Sequence, residues 1–118
     1  MNERLGCRTM KTAYQNEIDN IVSIIADTGL VSKIILFGSL AHGKGATESD
    51  VDLCVLTPIA DRHPADITIE LRMKLYGIQT LPLDLFTYNQ DDFVRHAKRP
   101  TSFEHEIAEH GVTLYERV

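Results

Sequence analysis

Asp50 and Asp52 stand two residues apart at the head of an apolar run, Val51-Asp52-Leu53-Cys54-Val55-Leu56. Read as a β-strand, the run projects residues i and i+2 from one face, so both carboxylates point the same way. Ionised groups in an apolar strand are costly unless paired or bound to a cation. Mg²⁺ is commonly held by one or two carboxylates together with substrate phosphates and water, and a bound metal removes the penalty. Upstream, Lys33-Ile34-Ile35-Leu36-Phe37 reads as a buried strand that stops at Gly38-Ser39. A glycine there lets the backbone approach a ligand closely, and successive N–H groups at such a turn can cradle phosphate oxygens. The Ser39 hydroxyl adds a donor. The segment Gly43-Lys44-Gly45-Ala46-Thr47-Glu48-Ser49 is short, polar and glycine-rich, so it can return the chain antiparallel and bring Asp50 back beside Ser39. Together these residues form a rim suited to a nucleoside triphosphate and its magnesium.

A third acid fits the same chemistry. Asp84 is a lone carboxylate in the strand-like segment Pro82-Leu83-Asp84-Leu85-Phe86, where an unpaired Asp is uncommon as plain structure. A two-metal centre that activates an attacking oxygen and stabilises a leaving pyrophosphate draws ligands from more than one strand. Asp84 is therefore expected as general base or third metal ligand. Taken singly, Gly-Ser is a common turn and Asp-x-Asp is often a turn or cap; it is their order, on strands, that points to a nucleotide site.

The pattern Gly38-Ser39, a spacer, Ser49-Asp50-Val51-Asp52-Leu53 and the later strand Asp84 resembles the nucleotidyltransferase superfamily that includes DNA polymerase beta and kanamycin nucleotidyltransferase. The short length and the ending Ile107-Ala108-Glu109-His110-Gly111-Val112-Thr113-Leu114-Tyr115-Glu116 look like its minimal branch, the MNT proteins that act as antitoxins to HEPN ribonuclease toxins. The likeness runs from about Ile18 to Tyr115. It implies Mg²⁺-dependent transfer of AMP from ATP onto a tyrosine of a HEPN-type partner. It also implies that Asp50, Asp52 and Asp84 are the catalytic and metal residues, and that Gly38, Ser39, His42, Lys44 and Ser49 bind the nucleotide. Many members carry arginines where this chain has Leu40 and His42; His42, only partly protonated near neutral pH, or Lys44 would stand in for that charge. Two other readings are an antitoxin that neutralises its partner by contact alone and a nucleotidyltransferase acting on a small molecule.

The elements that must position these groups are legible from periodicity. Thr12-Ala13-Tyr14-Gln15 resembles a capping box, Ile18, Ile21, Val22 and Ile25 recur at helical spacing, and Gly29 is a plausible stop. Pro64 suits the first position of a helix whose Ile67, Leu71, Leu75 and Ile78 form one apolar face. After the Asp84 strand, a helix is expected over Gln90 to Ala97, with Asp91 and Asp92 favoured by its macrodipole. Thr101 and Glu104 form a second capping box for a helix that turns Phe103 and Ile107 inward and ends at Gly111. Val112 to Tyr115 makes a last strand or extended segment. The expected fold is α+β, a small mixed β-sheet packed with helices in the polymerase beta-like nucleotidyltransferase manner, with residues 1–10 as a flexible tail and 11–118 as one domain.

At 118 residues the chain suffices for one modest core but not for a separate substrate-binding domain, so another molecule must present the acceptor. The net charge of −5 argues against general affinity for a nucleic-acid backbone. Cys7 and Cys54 lack the spacing of a zinc site or disulfide framework. The start lacks the apolar run of a signal peptide and no stretch is long enough to span a bilayer, which gives a cytoplasmic expectation; a homodimer is compatible with a small, edge-exposed sheet. His63, His96, His105 and His110 show no metal-pair spacing on a helix face, apart from His105 with its neighbouring carboxylates, and are expected at the surface. Tyr76 and Tyr88 are expected to pack.

Overall fold

The computed structural model describes residues 13–38 and 51–117. Ser39, His42, Lys44, Ser49 and Asp50, together with Cys7 and the Thr12 cap, lie outside the described residues. The elements run α1 (Ala13–Asp27), β1 (Lys33–Phe37), β2 (Val51–Thr57), α2 (Pro64–Leu75), β3 (Leu83–Asn89), α3 (Gln90–Ala97), α4 (Phe103–His110) and β4 (Val112–Glu116). The strands form a mixed sheet in the order β3-β2-β1-β4. β1 runs antiparallel to both β2 and β4, and β2 runs parallel to β3. A parallel pair needs a crossover rather than a hairpin, and α2 is that crossover. This is the expected α+β sheet.

Alternation along the strands divides the sheet into two faces. On the first, Ile34, Val51, Leu53, Val55, Leu83 and Leu85 meet Ile21 and Ile25 of α1 and Ile67, Leu71 and Leu75 of α2. Each fully buried side chain of this kind is worth about 1.5–3 kcal/mol relative to exposure, so this face carries most of the stability. On the second, a smaller cluster of Ile35, Cys54 and Leu56 is closed by Phe93 of α3 and Ile107 of α4. The thinner cover leaves part of the second face open.

Local chemistry explains the boundaries. In the turn after α1, the Thr28 hydroxyl donates to the Ile25 carbonyl at 2.7 Å and accepts from the Leu30 N–H at 3.1 Å, and Gly29 adopts φ +74. Pro64 opens α2 after His63, whose ring accepts from the Ala65 N–H at 3.1 Å. The helix stops at Leu75, before Gly77 at φ +82. Ile78 therefore lies past its end and is 46% exposed, a correction to the four-residue apolar face expected there. Tyr76, expected to pack, is 89% exposed at the same stop. Asn89 caps α3 by accepting from Asp91 and Asp92, and Arg95 pairs with Asp92 at 2.6 Å.

The α4 cap is Ser102 rather than Thr101. The Ser102 oxygen accepts from the His105 N–H at 2.9 Å, and its hydroxyl lies 2.8 Å from the His96 carbonyl and 2.9 Å from that of Arg99. One side chain thus starts α4 and closes the turn leaving α3. Two further expectations shift here. Phe103 does not enter the core but is 48% exposed. His105 is half-buried, with Nδ1 2.9 Å from the Ala97 carbonyl.

Candidate active site

Strand register builds the site. Phe37 of β1 faces Asp52 of β2, and Asp52 faces Asp84 of β3, so these three form one row across the second face. The next row is Ile35, Cys54 and Phe86, and the one after it Lys33, Leu56 and Tyr88. Adjacent strands lie about 4.8 Å apart, which sets the two carboxylates side by side on one face. The register makes Asp52 and Asp84 neighbours on one face, while Asp50 lies outside the described residues.

Gly38 comes next after Phe37, at φ +79, a conformation that L side chains rarely adopt. A Cβ at this position would collide with the Asp52 Oδ2 atom. The turn therefore needs glycine twice over, for its backbone angle and for the carboxylate lying against it. The group that approaches this glycine is the chain's own Asp52 carboxylate, and the position of Ser39 lies outside the described residues.

On the β1 side of Asp52 a cleft of about 300 Å³ opens between the sheet and α4. Gly38, Phe37 and Asp52 form one wall, and Phe103, Glu106 and His110 the other. His110 Nδ1 lies 3.0 Å from Glu106 Oε2, in the last turn of α4. Sequence reasoning missed these α4 residues, because only the packing of α4 on β1 brings them to Asp52. A signal existed: Phe103, Glu106, Ile107 and His110 follow the i, i+3, i+4, i+7 spacing of one helix face.

Three phenyl rings bound the carboxylate row. The Phe37 and Phe86 centroids are 5.4 Å apart, those of Phe37 and Phe103 5.6 Å, and those of Phe86 and Phe103 5.9 Å, all at steep interplanar angles. Edge-to-face packing of this kind fixes ring orientation. Behind them Cys54 and Tyr88 are held neutral. Burial pushes the Cys54 thiol up to about 12, helped by the charge of Glu104, so it is no nucleophile. Burial and then a hydrogen bond with Glu104 push the Tyr88 phenol upward, and Tyr88 packs on Phe93 with centroids 5.3 Å apart.

Among the described residues, no group of three or more His, Cys, Asp or Glu side chains is close enough to hold a metal ion. The donor set nevertheless suits Mg²⁺, which takes one or two carboxylates and leaves its other positions to phosphates and water. Asp52 and Asp84 supply hard oxygen donors on neighbouring strands, and the bare glycine beside Asp52 keeps the space in front of it free of side chain.

Comparison with known proteins agrees with this geometry. Residues 19–118 match the family described as polymerase beta, nucleotidyltransferase. The chain is 31% identical over 87 residues to a Methanocaldococcus jannaschii protein provisionally named a protein adenylyltransferase, covering 74% of this chain and 81% of that one. Its fold is similar to a crystal structure of a provisionally named nucleotidyltransferase from Sulfolobus solfataricus, with a TM-score of 0.60 at 18% identity over 92% of this chain and 91% of that one. It is also similar to a chain in a crystal structure of a toxin-antitoxin with AMP-PNP, with a TM-score of 0.58 at 25% identity over 86% of this chain and 73% of that one. With the family matched over most of its length, this chain belongs to the polymerase beta nucleotidyltransferase family and is a nucleotidyltransferase.

Proposed function

We propose that the protein transfers AMP from ATP to a hydroxyl of a partner protein, a tyrosine of a HEPN-type ribonuclease toxin, and thereby acts as the antitoxin. The observation that carries this reading is the row in which Asp52 and Asp84 stand side by side with Gly38 against Asp52. The similarity to a relative named for protein adenylylation and to a toxin-antitoxin structure with an ATP analogue supports the acceptor class. With net charge −5, a protein acceptor suits the chain better than a polynucleotide.

In this reading Gly38 and Ser39, with His42, Lys44 and Ser49, hold the triphosphate, while Asp50, Asp52 and Asp84 are the metal ligands. Bound Mg²⁺ would neutralise phosphate charge and favour departure of pyrophosphate. Asp84, on the edge strand, accepts the proton of the attacking hydroxyl. The acceptor oxygen forms a bond to the α-phosphorus, the bond from the α-phosphorus to the bridging oxygen breaks, and pyrophosphate takes the electron pair. Positioning and charge neutralisation supply most of the acceleration, which is how so small a scaffold can suffice.

The test is transfer of α-labelled ATP, with Mg²⁺, to a candidate HEPN-type partner protein. Asp52→Asn should abolish labelling while the circular dichroism spectrum and melting curve stay those of a folded protein. Full labelling by that variant would refute the assignment.

A further inference from the structure

Phe86 differs from the rings beside it. It sits on the sheet's edge strand, two residues from Asp84 on the same face, and is 38% exposed. It does not line the cleft at Gly38; Phe37 and Phe103 do. Those two rings pack steeply against it at 5.4 and 5.9 Å, so its plane is set before anything binds. The carboxylate row thus has two sides, with the glycine turn and cleft beyond Asp52 on one and Asp84 with Phe86 on the other. Phosphates belong on the glycine side, where backbone approaches closely. What enters from the β3 edge meets Asp84 and a fixed phenyl ring together.

We infer that Phe86, braced by Phe37 and Phe103, is the seat for the ring of an aromatic acceptor and makes the site select a phenolic hydroxyl over an aliphatic one. The inference rests on the transfer reading above and deepens it. Residues i and i+2 of a strand are about 6.6 Å apart, a span that a phenol lying on Phe86 crosses with its hydroxyl directed at Asp84. A serine hydroxyl, on a one-carbon stem, offers Phe86 nothing to grip. An aromatic pair is worth about 2- to 12-fold in affinity beyond the area it buries. Because the seat is rigid, little of that is lost to ordering.

The experiment uses the full chain with ATP, Mg²⁺ and two acceptor peptides that differ only in Tyr or Ser at one position. Wild type is compared with Phe86→Ala and Phe86→Leu, both at a partly exposed position where truncation spares the core. Titration reads ATP affinity, and ligand-observed NMR reads binding of N-acetyl-tyrosinamide. Wild type should label the Tyr peptide about tenfold faster than the Ser peptide. Phe86→Ala should erase that preference and the tyrosinamide signal, with ATP affinity within twofold of wild type. An intact Tyr preference in both variants would overturn the inference. So would a loss of ATP affinity with the preference retained, which would give the ring to the nucleobase instead. No label on either peptide, with tyrosinamide still bound in a Phe86-dependent way, would overturn the transfer reading and leave the ring seat standing. Absence of Phe86-dependent tyrosinamide binding would overturn the seat whatever the transfer result.

Discussion

Replacing Gly38 by Ala separates two demands that one residue meets. Gly29, Gly38 and Gly77 have φ of +74, +79 and +82, and a Cβ would find nothing within 4 Å at Gly29 or Gly77. Left-handed backbone costs a non-glycine residue about 1–2 kcal/mol, so Gly77→Ala should lower Tm by about 4–8 °C at roughly 4 °C per kcal/mol for a domain of this size. Gly38→Ala bears the same strain and also forces the Asp52 carboxylate out of its place. An off-rotamer side chain adds about 0.5–1.5 kcal/mol, bringing the fall in Tm to about 6–14 °C. The larger consequence is chemical, since a displacement near 1 Å in a reacting constellation costs on the order of 100-fold in rate. Both variants would be compared by thermal melting and by single-turnover transfer from α-labelled ATP, at a temperature where each is folded. Gly77→Ala should transfer at the wild-type rate and Gly38→Ala about 100-fold more slowly. Equal rates in the two would show that the contact between Gly38 and Asp52 has no part in the reaction.

Other outcomes follow from contacts away from the carboxylate row. Ser102→Ala should cost about 1–2 kcal/mol in urea unfolding and Thr101→Ala almost nothing, because Ser102 holds the cap; equal losses would contradict the assignment. In a Cys7→Ser background, a maleimide should modify Cys54 at pH 8 only as fast as the protein unfolds, given a thiol pushed up to about 12. Since that folded value exceeds the unfolded 9.0, the contribution of Cys54 to stability is intact below pH 9 and declines as pH rises from there toward 12, a decline that Cys54→Ala should lack. Glu17 accepts from the Thr80 hydroxyl and from the N–H groups of Thr80 at 2.6 Å and Leu81 at 2.8 Å. These bonds, the Thr80 hydroxyl first, lower its pKa below 4.5. The stabilisation is therefore present above pH 4.5 and lost as pH falls through the lowered value, and Glu17→Gln should flatten that part of the profile in acid unfolding.

Local periodicity made α1 and α2 readable, because Ile21, Ile25, Ile67, Leu71 and Leu75 recur at helical spacing and are all fully buried. The same logic marked Asp52 and Asp84 as acids in apolar strands. It could not say that the two would share a row, since the pairing of β2 with β3 depends on where α2 sets the returning strand. Nor could it place β4 beside β1, a pairing made between distant parts of the chain. The shift from Thr101 to Ser102 is a competition between two adjacent hydroxyls, decided by the His96 and Arg99 carbonyls that only Ser102 reaches. Phe103 looked like a core residue because a phenyl ring usually is one. Its partners turned out to be Phe37 and Phe86 at the rim of the open face.

The parallel register between β2 and β3 also governs what inactive forms of this protein can exist. It is held by the Val51 N–H donating to the Pro82 carbonyl at 2.9 Å and by α2, through Thr68 to Thr87 at 2.6 Å and Arg72 to the Leu83 carbonyl at 3.3 Å. A slip of one residue would turn every side chain of β3 to the other face. Asp84 would then be driven among the leucines and isoleucines beneath α1 and α2, while Leu83 and Leu85 would emerge into water. The charge that the proposed transfer would use thus also forbids the misaligned sheet. A preparation should accordingly contain working molecules and unfolded ones, with no long-lived folded but dead species between them, so that turnover per folded molecule stays constant as denaturant thins the population.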